Sequence, residues 1–140
     1  MILCITRYRA VKANGTIEES GNKWESQLRK GCLEMAVVMA LALGRNYGLG
    51  ILRLLEENSN LVLSEGTIYP ILNRLRQDAI VDSTWVESEL GHPRRYYVLT
   101  SKGRERAIEM ANTWLQLAAG LERLARPVVG RKEDNHDGSH

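Results

Sequence analysis

Phenylalanine is absent, so aromatic packing falls to three Trp and five Tyr. Cysteine is scarce: Cys4 and Cys32 give neither a disulfide framework nor a metal-ligand cluster, which fits a reducing compartment. Histidine is scarce too. His92 lies between a glycine and a proline, and His136 and His140 sit in a polar C-terminal stretch, so no catalytic pair or ligand spacing forms. Glu56 and Glu57 have no partner placed to make them an acid or a base. These gaps argue against an enzyme, a metal centre and a resident cofactor. No apolar run approaches the roughly 18 residues of a membrane span, the longest being the segment around Ala36 to Leu43. The opening Met1-Ile-Leu-Cys-Ile5 runs into Arg7, Arg9 and Lys12 and does not read as a signal peptide. The expected setting is the cytoplasm, with no membrane partner.

What the chain contains is an ordinary globular balance, 44% hydrophobic and 26% charged over 140 residues, enough for one domain with an added helix or tail. The net charge of +2 is unevenly spread. Between His92 and Arg106, Arg94, Arg95, Lys102, Arg104 and Arg106 stand against the single acid Glu105, a local +4. Such a patch suits a phosphate backbone, and it equally suits a solvated charged face.

Residues 1–23 lack sustained periodicity and read as a mobile N-terminal arm. From Trp24 onward, Leu28, Cys32, Met35, Ala36, Met39 and Leu43 recur at helical spacing and predict a helix that Gly44 stops. Gly31 inside it costs roughly 1 kcal/mol relative to Ala, which suggests close packing. A second helix is expected over 47–58 on Tyr47, Ile51, Leu54 and Leu55. Ser64-Glu65-Gly66 opens a third, ending near Asp78, whose regular turns should begin near Gly66 or Thr67 so that Pro70 stays in the first turn. The period then changes. Residues 80–87 and 94–100 are rich in Val, Ile, Thr, Tyr and Trp and flank a six-residue tip, the pattern of a β-hairpin. Thr100 or Ser101 caps a last helix that Pro127 closes, leaving a disordered tail over 127–140. The fold class is therefore mainly α with a small β-hairpin: a winged helix-turn-helix over 24–100, then a long C-terminal helix over 101–126.

At 100° per residue, Ile68, Ile71, Leu72, Leu75 and Ala79 share a core side of the third helix. Gly66, Tyr69, Pro70, Asn73 and Gln77 share the other, flanked by Arg74 and Arg76. That outer face can meet a major groove. Gly66 lets backbone amides approach a phosphate, the Tyr69 hydroxyl can bond one, and Asn73 and Gln77 can read an adenine edge. It is also what any amphipathic helix shows to water. The hairpin tip Gly91-His92-Pro93 leads directly into Arg94-Arg95, a ribbon end suited to phosphates or a minor groove. Tyr97 and Leu99 share a strand face assigned to the core.

Leu28-Arg-Lys-Gly31, Tyr47-Gly48, Gly66-Thr-Ile-Tyr-Pro70, Leu72 and Arg74-Leu75 together resemble the short-form PadR family of winged-helix regulators. Arg94-Arg-Tyr-Tyr97, Leu99-Thr100 and Lys102-Gly-Arg104 extend the likeness, which covers about Trp24 to Arg106. The resemblance implies DNA contacts at Ser64, Gly66, Thr67, Tyr69, Pro70, Arg94 and Arg95, and a repressor of a transport or detoxification operon. Leu49 and Gly50 stand where the family usually has an aromatic and a Glu, Ala79 where it has a glycine, and Arg76 where it often has Glu.

In the last helix Ala107, Ala111, Trp114, Ala118, Leu121 and Ala125 alternate by four and three, a heptad seam, with Met110, Leu117 and Leu124 beside it. One small domain covers only one such stripe, so a homodimer is expected through Ala107, Ala111, Trp114, Ala118 and Leu121. The resemblance implies pairing through the N- and C-terminal helices, and an aromatic at Trp114 lining a central cavity. Two copies of Trp114, with Met35 and Met39, would then hold a small aromatic or cationic effector. Alternatively Trp114 fills the dimer core and no effector exists, or the winged helix is a protein-interaction module.

Overall fold

The computed structural model describes residues 17–134, apart from 88 and 90. The chain divides into two compact units, residues 1–33 and 34–140. The elements run α1 (Ile17–Ala42), β1 (Asn46–Tyr47), α2 (Gly48–Ser59), α3 (Glu65–Gln77), β2 (Val81–Val86), β3 (Arg94–Leu99) and α4 (Ser101–Asp134). The strands form one antiparallel sheet in the order β1-β3-β2. The mainly helical winged fold with a hairpin and a long last helix is therefore present, and a third strand joins it. β1 pairs Asn46 with Tyr97 and Tyr47 with Tyr96. Two residues carry no readable alternation, which is why the sequence pattern shows only two strands.

Both long helices exceed their expected limits. α1 begins at Ile17, so residues 17–23 are helical; the rest of the expected arm, 1–16, lies outside the described residues. α4 continues through Pro127 to Asp134, against the expected stop, and residues 135–140 lie outside the described ones. A proline removes one helical hydrogen bond, while the turns on either side keep theirs. Likewise α3 starts at Glu65, which places Pro70 sixth in the helix rather than in its first turn. Ser64 is extended (φ −88°, ψ 161°), and its carbonyl accepts both the Thr67 and Ile68 N–H at 3.1 Å, fixing this earlier start.

The core gathers Val37 and Val38 of α1, Ile51 of α2, Ile68, Leu72 and Leu75 of α3, and Val81 of β2, all almost wholly buried. Ile71, Tyr97 and Leu99 close it, as their spacing predicts. In α1 the buried side is Ala36, Val37, Val38, Ala40 and Leu41, which shares only Ala36 with the stripe that the three-four spacing singles out. Leu28 and Leu43 are exposed, and Cys32, Met35 and Met39 are half-buried. The segment from Ala36 to Leu43 is apolar all round, so periodicity alone does not choose a face. A side chain at Gly31 would meet no atom within 4 Å among the described residues, so the close packing expected there is not found among them.

The end of α3 is a Schellman turn. The Ile80 N–H bonds the Leu75 carbonyl at 2.9 Å and the Ala79 N–H bonds the Arg76 carbonyl at 3.1 Å. Ala79 occupies the left-handed position (φ 58°) that this turn reserves for glycine. Its carbonyl accepts the Thr100 hydroxyl at 2.6 Å, and that hydroxyl accepts the Gly103 N–H at 3.0 Å, capping α4. Gly103 is required here, since a Cβ would stand 2.1 Å from the Ile80 carbonyl oxygen. The substitution Ala79→Gly is expected to stabilise the fold by about 1 kcal/mol. The left-handed penalty of an L-residue is about 1–2 kcal/mol, partly offset by the greater unfolded-state entropy of glycine. Urea titration at fixed protein concentration should show a higher midpoint; a lower one would mean that the Ala79 methyl makes contacts worth more than the strain.

Candidate nucleic-acid interface

α3 turns one side to the core and leaves Ser64 (its N-cap), Gly66, Tyr69, Pro70, Asn73, Arg74 and Gln77 exposed, with Thr67 half-buried. At its start the Ser64 and Thr67 hydroxyls bond each other at 3.0 Å. Gly66 sits beside them with negative φ, and a Cβ there would find only Ser64 Oγ, at an ordinary 3.7 Å. Nothing among the described residues requires a glycine at that position.

Tyr69 is 42% exposed, its ring laid against the start of α2. A Cβ on Gly48 would come within 2.7 Å of the Tyr69 hydroxyl oxygen, so this contact explains the glycine at 48. Burial, then the Glu65 carboxylate and Tyr97, push the Tyr69 hydroxyl above its ordinary pKa. Like any tyrosine hydroxyl it is a proton donor at neutral pH, as a phosphate contact needs. Two neighbours are engaged within the chain. Arg76 donates to Asn73 Oδ1 at 3.2 Å, and the Arg74 guanidinium lies 3.7 Å from the Glu34 carboxylate of α1. Both pairs are exposed, and such pairs are worth only about 0.2–1 kcal/mol, so a stronger partner can displace them.

The wing separates its two arginines, because adjacent strand residues point to opposite faces. Arg94 stands on the outer face, 4.6 Å from the Tyr47 ring centroid. Tyr47 packs on Tyr96 at 5.5 Å, and Arg45 lies 5.3 Å over the Tyr96 ring. Arg45 enters this cluster only through the β1 pairing, which leaves no mark in the sequence. Arg95 is on the core-side face, donating to Ser83 Oγ at 3.1 Å with Trp85 and Tyr97 each 5.8 Å away. Among the described residues no carboxylate pairs with Arg45, Arg94 or Arg95. These side chains thus form an uncompensated basic ribbon stiffened by aromatic rings.

On α4, Ala107 is buried within its own chain, which removes it from any surface a partner can reach. Its neighbourhood packs closely through Gly103, and the helix leaves the core beyond it. Ala111 and Ala118 are half-buried, and Trp114 is 37% exposed. Trp114, Leu117, Leu121, Leu124 and Val128, all exposed, step by three and four along one stripe. Met35 and Met39 are half-buried on α1. A groove of about 240 Å³ is lined by Glu34, Asp78, Ile80, Lys102, Arg106 and Met110, and so by neither methionine nor Trp114. Among the described residues no helix is long and apolar enough to cross a membrane, and no cluster of potential metal ligands occurs.

The transcriptional regulator PadR-like family matches residues 37–109, from the buried part of α1 through the wing into α4. A PadR-like transcription factor from Bacteroides fragilis is 37% identical, over 73% of this chain and 98% of its own, with a TM-score of 0.59. A PadR-like transcriptional regulator from Bacillus cereus is 30% identical, covering 71% and 96%, with a TM-score of 0.65. A PadR family regulator from Eggerthella lenta reaches a TM-score of 0.67 at 26% identity, covering 78% and 95%. Winged fold, helix order and sequence likeness agree, and the chain belongs to the transcriptional regulator PadR-like family, whose members are regulators and not enzymes.

Proposed function

We propose that this protein is a homodimeric repressor that binds a specific operator in double-stranded DNA and is released by a small aromatic or cationic effector. The observation that carries the DNA reading is an exposed polar helix face together with wing arginines that no carboxylate neutralises among the described residues. In this reading α3 enters the major groove, where Asn73 and Gln77 contact base edges once Asn73 exchanges Arg76 for an adenine. Ser64, Thr67, Tyr69 and Arg94 take phosphates, and Arg95 works from the other face of the wing. Pro70 packs against the groove wall, and Arg74 joins when it leaves Glu34. Gly66, on which no contact among the described residues makes a demand, admits the DNA backbone close to the helix.

The dimer reading rests on the exposed stripe from Trp114 to Val128, since apolar rows of this kind mark interaction surfaces. A twofold pair would present two recognition helices to half-sites about 34–36 Å apart. Ala111, Ala118 and Leu121 lie along this helix, and two Trp114 rings meeting near the axis would sandwich a flat ligand, with Met35 and Met39 as adaptable lining. The repressor role follows the family resemblance.

The test is a gel-shift titration on DNA upstream of the protein's own gene, against random DNA, at two salt concentrations. Preferential retention that weakens steeply with salt is expected; no preference at either salt, with the dimer intact, would favour a protein-interaction module. In the same assay Gly66→Ala should lower affinity at least tenfold while raising helix stability by up to about 1 kcal/mol. Unchanged affinity would sink the close-approach role. For the effector, flat aromatic cations should quench tryptophan fluorescence in the wild type and not in Trp114→Ala. Equal quenching in both would leave Trp114 as dimer core alone.

A further inference from the structure

The core-side face of the wing carries a residue that the reading so far leaves idle. Register pairs Val81 with Leu99, Ser83 with Tyr97 and Trp85 with Arg95, so these six side chains share one face. The first pair is buried, Tyr97 is buried and Ser83 half-buried, but Trp85 is 68% exposed. A single exposed apolar residue is ordinary. Here, however, the Arg95 guanidinium carbon lies 5.8 Å from the Trp85 ring and is held by Ser83 Oγ at 3.1 Å. It is the same 5.8 Å from the ring of the buried Tyr97, on the sheet face whose strand β2 packs against α3. A row therefore leads along this face of the ribbon from the core to the tip: Tyr97, Arg95, Trp85. Its far end is a flat apolar plate beside an oriented cation that pairs with no carboxylate among the described residues.

We propose that Trp85 and Arg95 act as one clasp on the sugar–phosphate backbone bordering the minor groove beside the recognition helix, Arg95 holding a phosphate and Trp85 packing on the adjoining deoxyribose. The inference rests on the DNA-binding reading and adds a residue to it. The chemistry favours DNA over a protein partner, because the cation stands on the ribbon face that turns towards α3, the helix that carries the other candidate contacts. Ser83 orients the guanidinium in advance, so little side-chain freedom is lost on binding.

The two halves of the clasp predict different salt behaviour. Arg95 releases a counterion on binding and Trp85 does not. With full-length protein and the DNA fragment retained best by wild type, Arg95→Ala should flatten the slope of log affinity against log salt by about one unit. Trp85→Ala should lower affinity about tenfold at every salt concentration with the slope unchanged, the loss expected for uncovering much of a buried indole. Trp85→Phe should recover most of that loss, which also guards against a folding artefact. Wild-type affinity in Trp85→Ala, or a changed slope, would overturn the clasp while leaving the DNA reading in place. A wild type that binds no DNA would overturn both.

Discussion

Thr100 Oγ1 donates to the carbonyl of Ala79 at 2.6 Å and accepts the N–H of Gly103 at 3.0 Å, while the Thr100 N–H bonds the Ile80 carbonyl at 3.0 Å. Within a few ångströms this ties the end of α3, the start of β2 and the first turn of α4. Lys102 adds a bond from Nζ to the Asp78 carbonyl at 3.0 Å, and Arg104 one to the Leu99 carbonyl at 3.2 Å. Carbonyls that a helix end and a strand end would otherwise leave open are thereby satisfied from α4. The contact tolerates only glycine at 103, and it holds Ala79 in a conformation that costs an L-residue energy. The third helix, the wing and the long last helix share this junction, so the angle of α3 and the hairpin to α4 is set there.

From that junction outward, charge and aromatic surface divide by face. Tyr47 and Tyr96 carry Arg94 and Arg45 on the outer side of the sheet, while Tyr97 and Trp85 carry Arg95 on the side of α3. Each guanidinium rests on a ring rather than on a carboxylate, which leaves its charge available to an external anion. A net charge of +2 on the whole chain thus coexists with a locally strong basic ribbon.

The parts of this architecture that were legible in the sequence are those where one periodicity decides one face. Ile68, Ile71, Leu72 and Leu75 lie at helical spacing and are buried; Tyr97 and Leu99 lie two apart on a strand and are buried. Periodicity gives no answer where a segment is apolar all round, as in the second half of α1, or where an element has only two residues, as in β1. Nor does it show where the core ends. Trp85 occupies a core-side position of β2, yet the ribbon outruns the helices there and the ring meets solvent. For the same reason Ala107, at the head of the seam on α4, belongs to the chain's own core. The Arg74–Glu34 pair, which joins residues forty apart, has no local sequence signal.

In the proposed complex α3 and the core-side face of the wing form one DNA-binding surface, presented twice by a dimer. Hydroxyl-radical footprinting on a fragment selected from random DNA by the full-length protein tests it most directly. The account predicts two protected patches on one side of the duplex, their centres about 34–36 Å or a multiple of that apart, related by a twofold axis. A single patch without twofold symmetry, or uniform protection along the fragment, would contradict it.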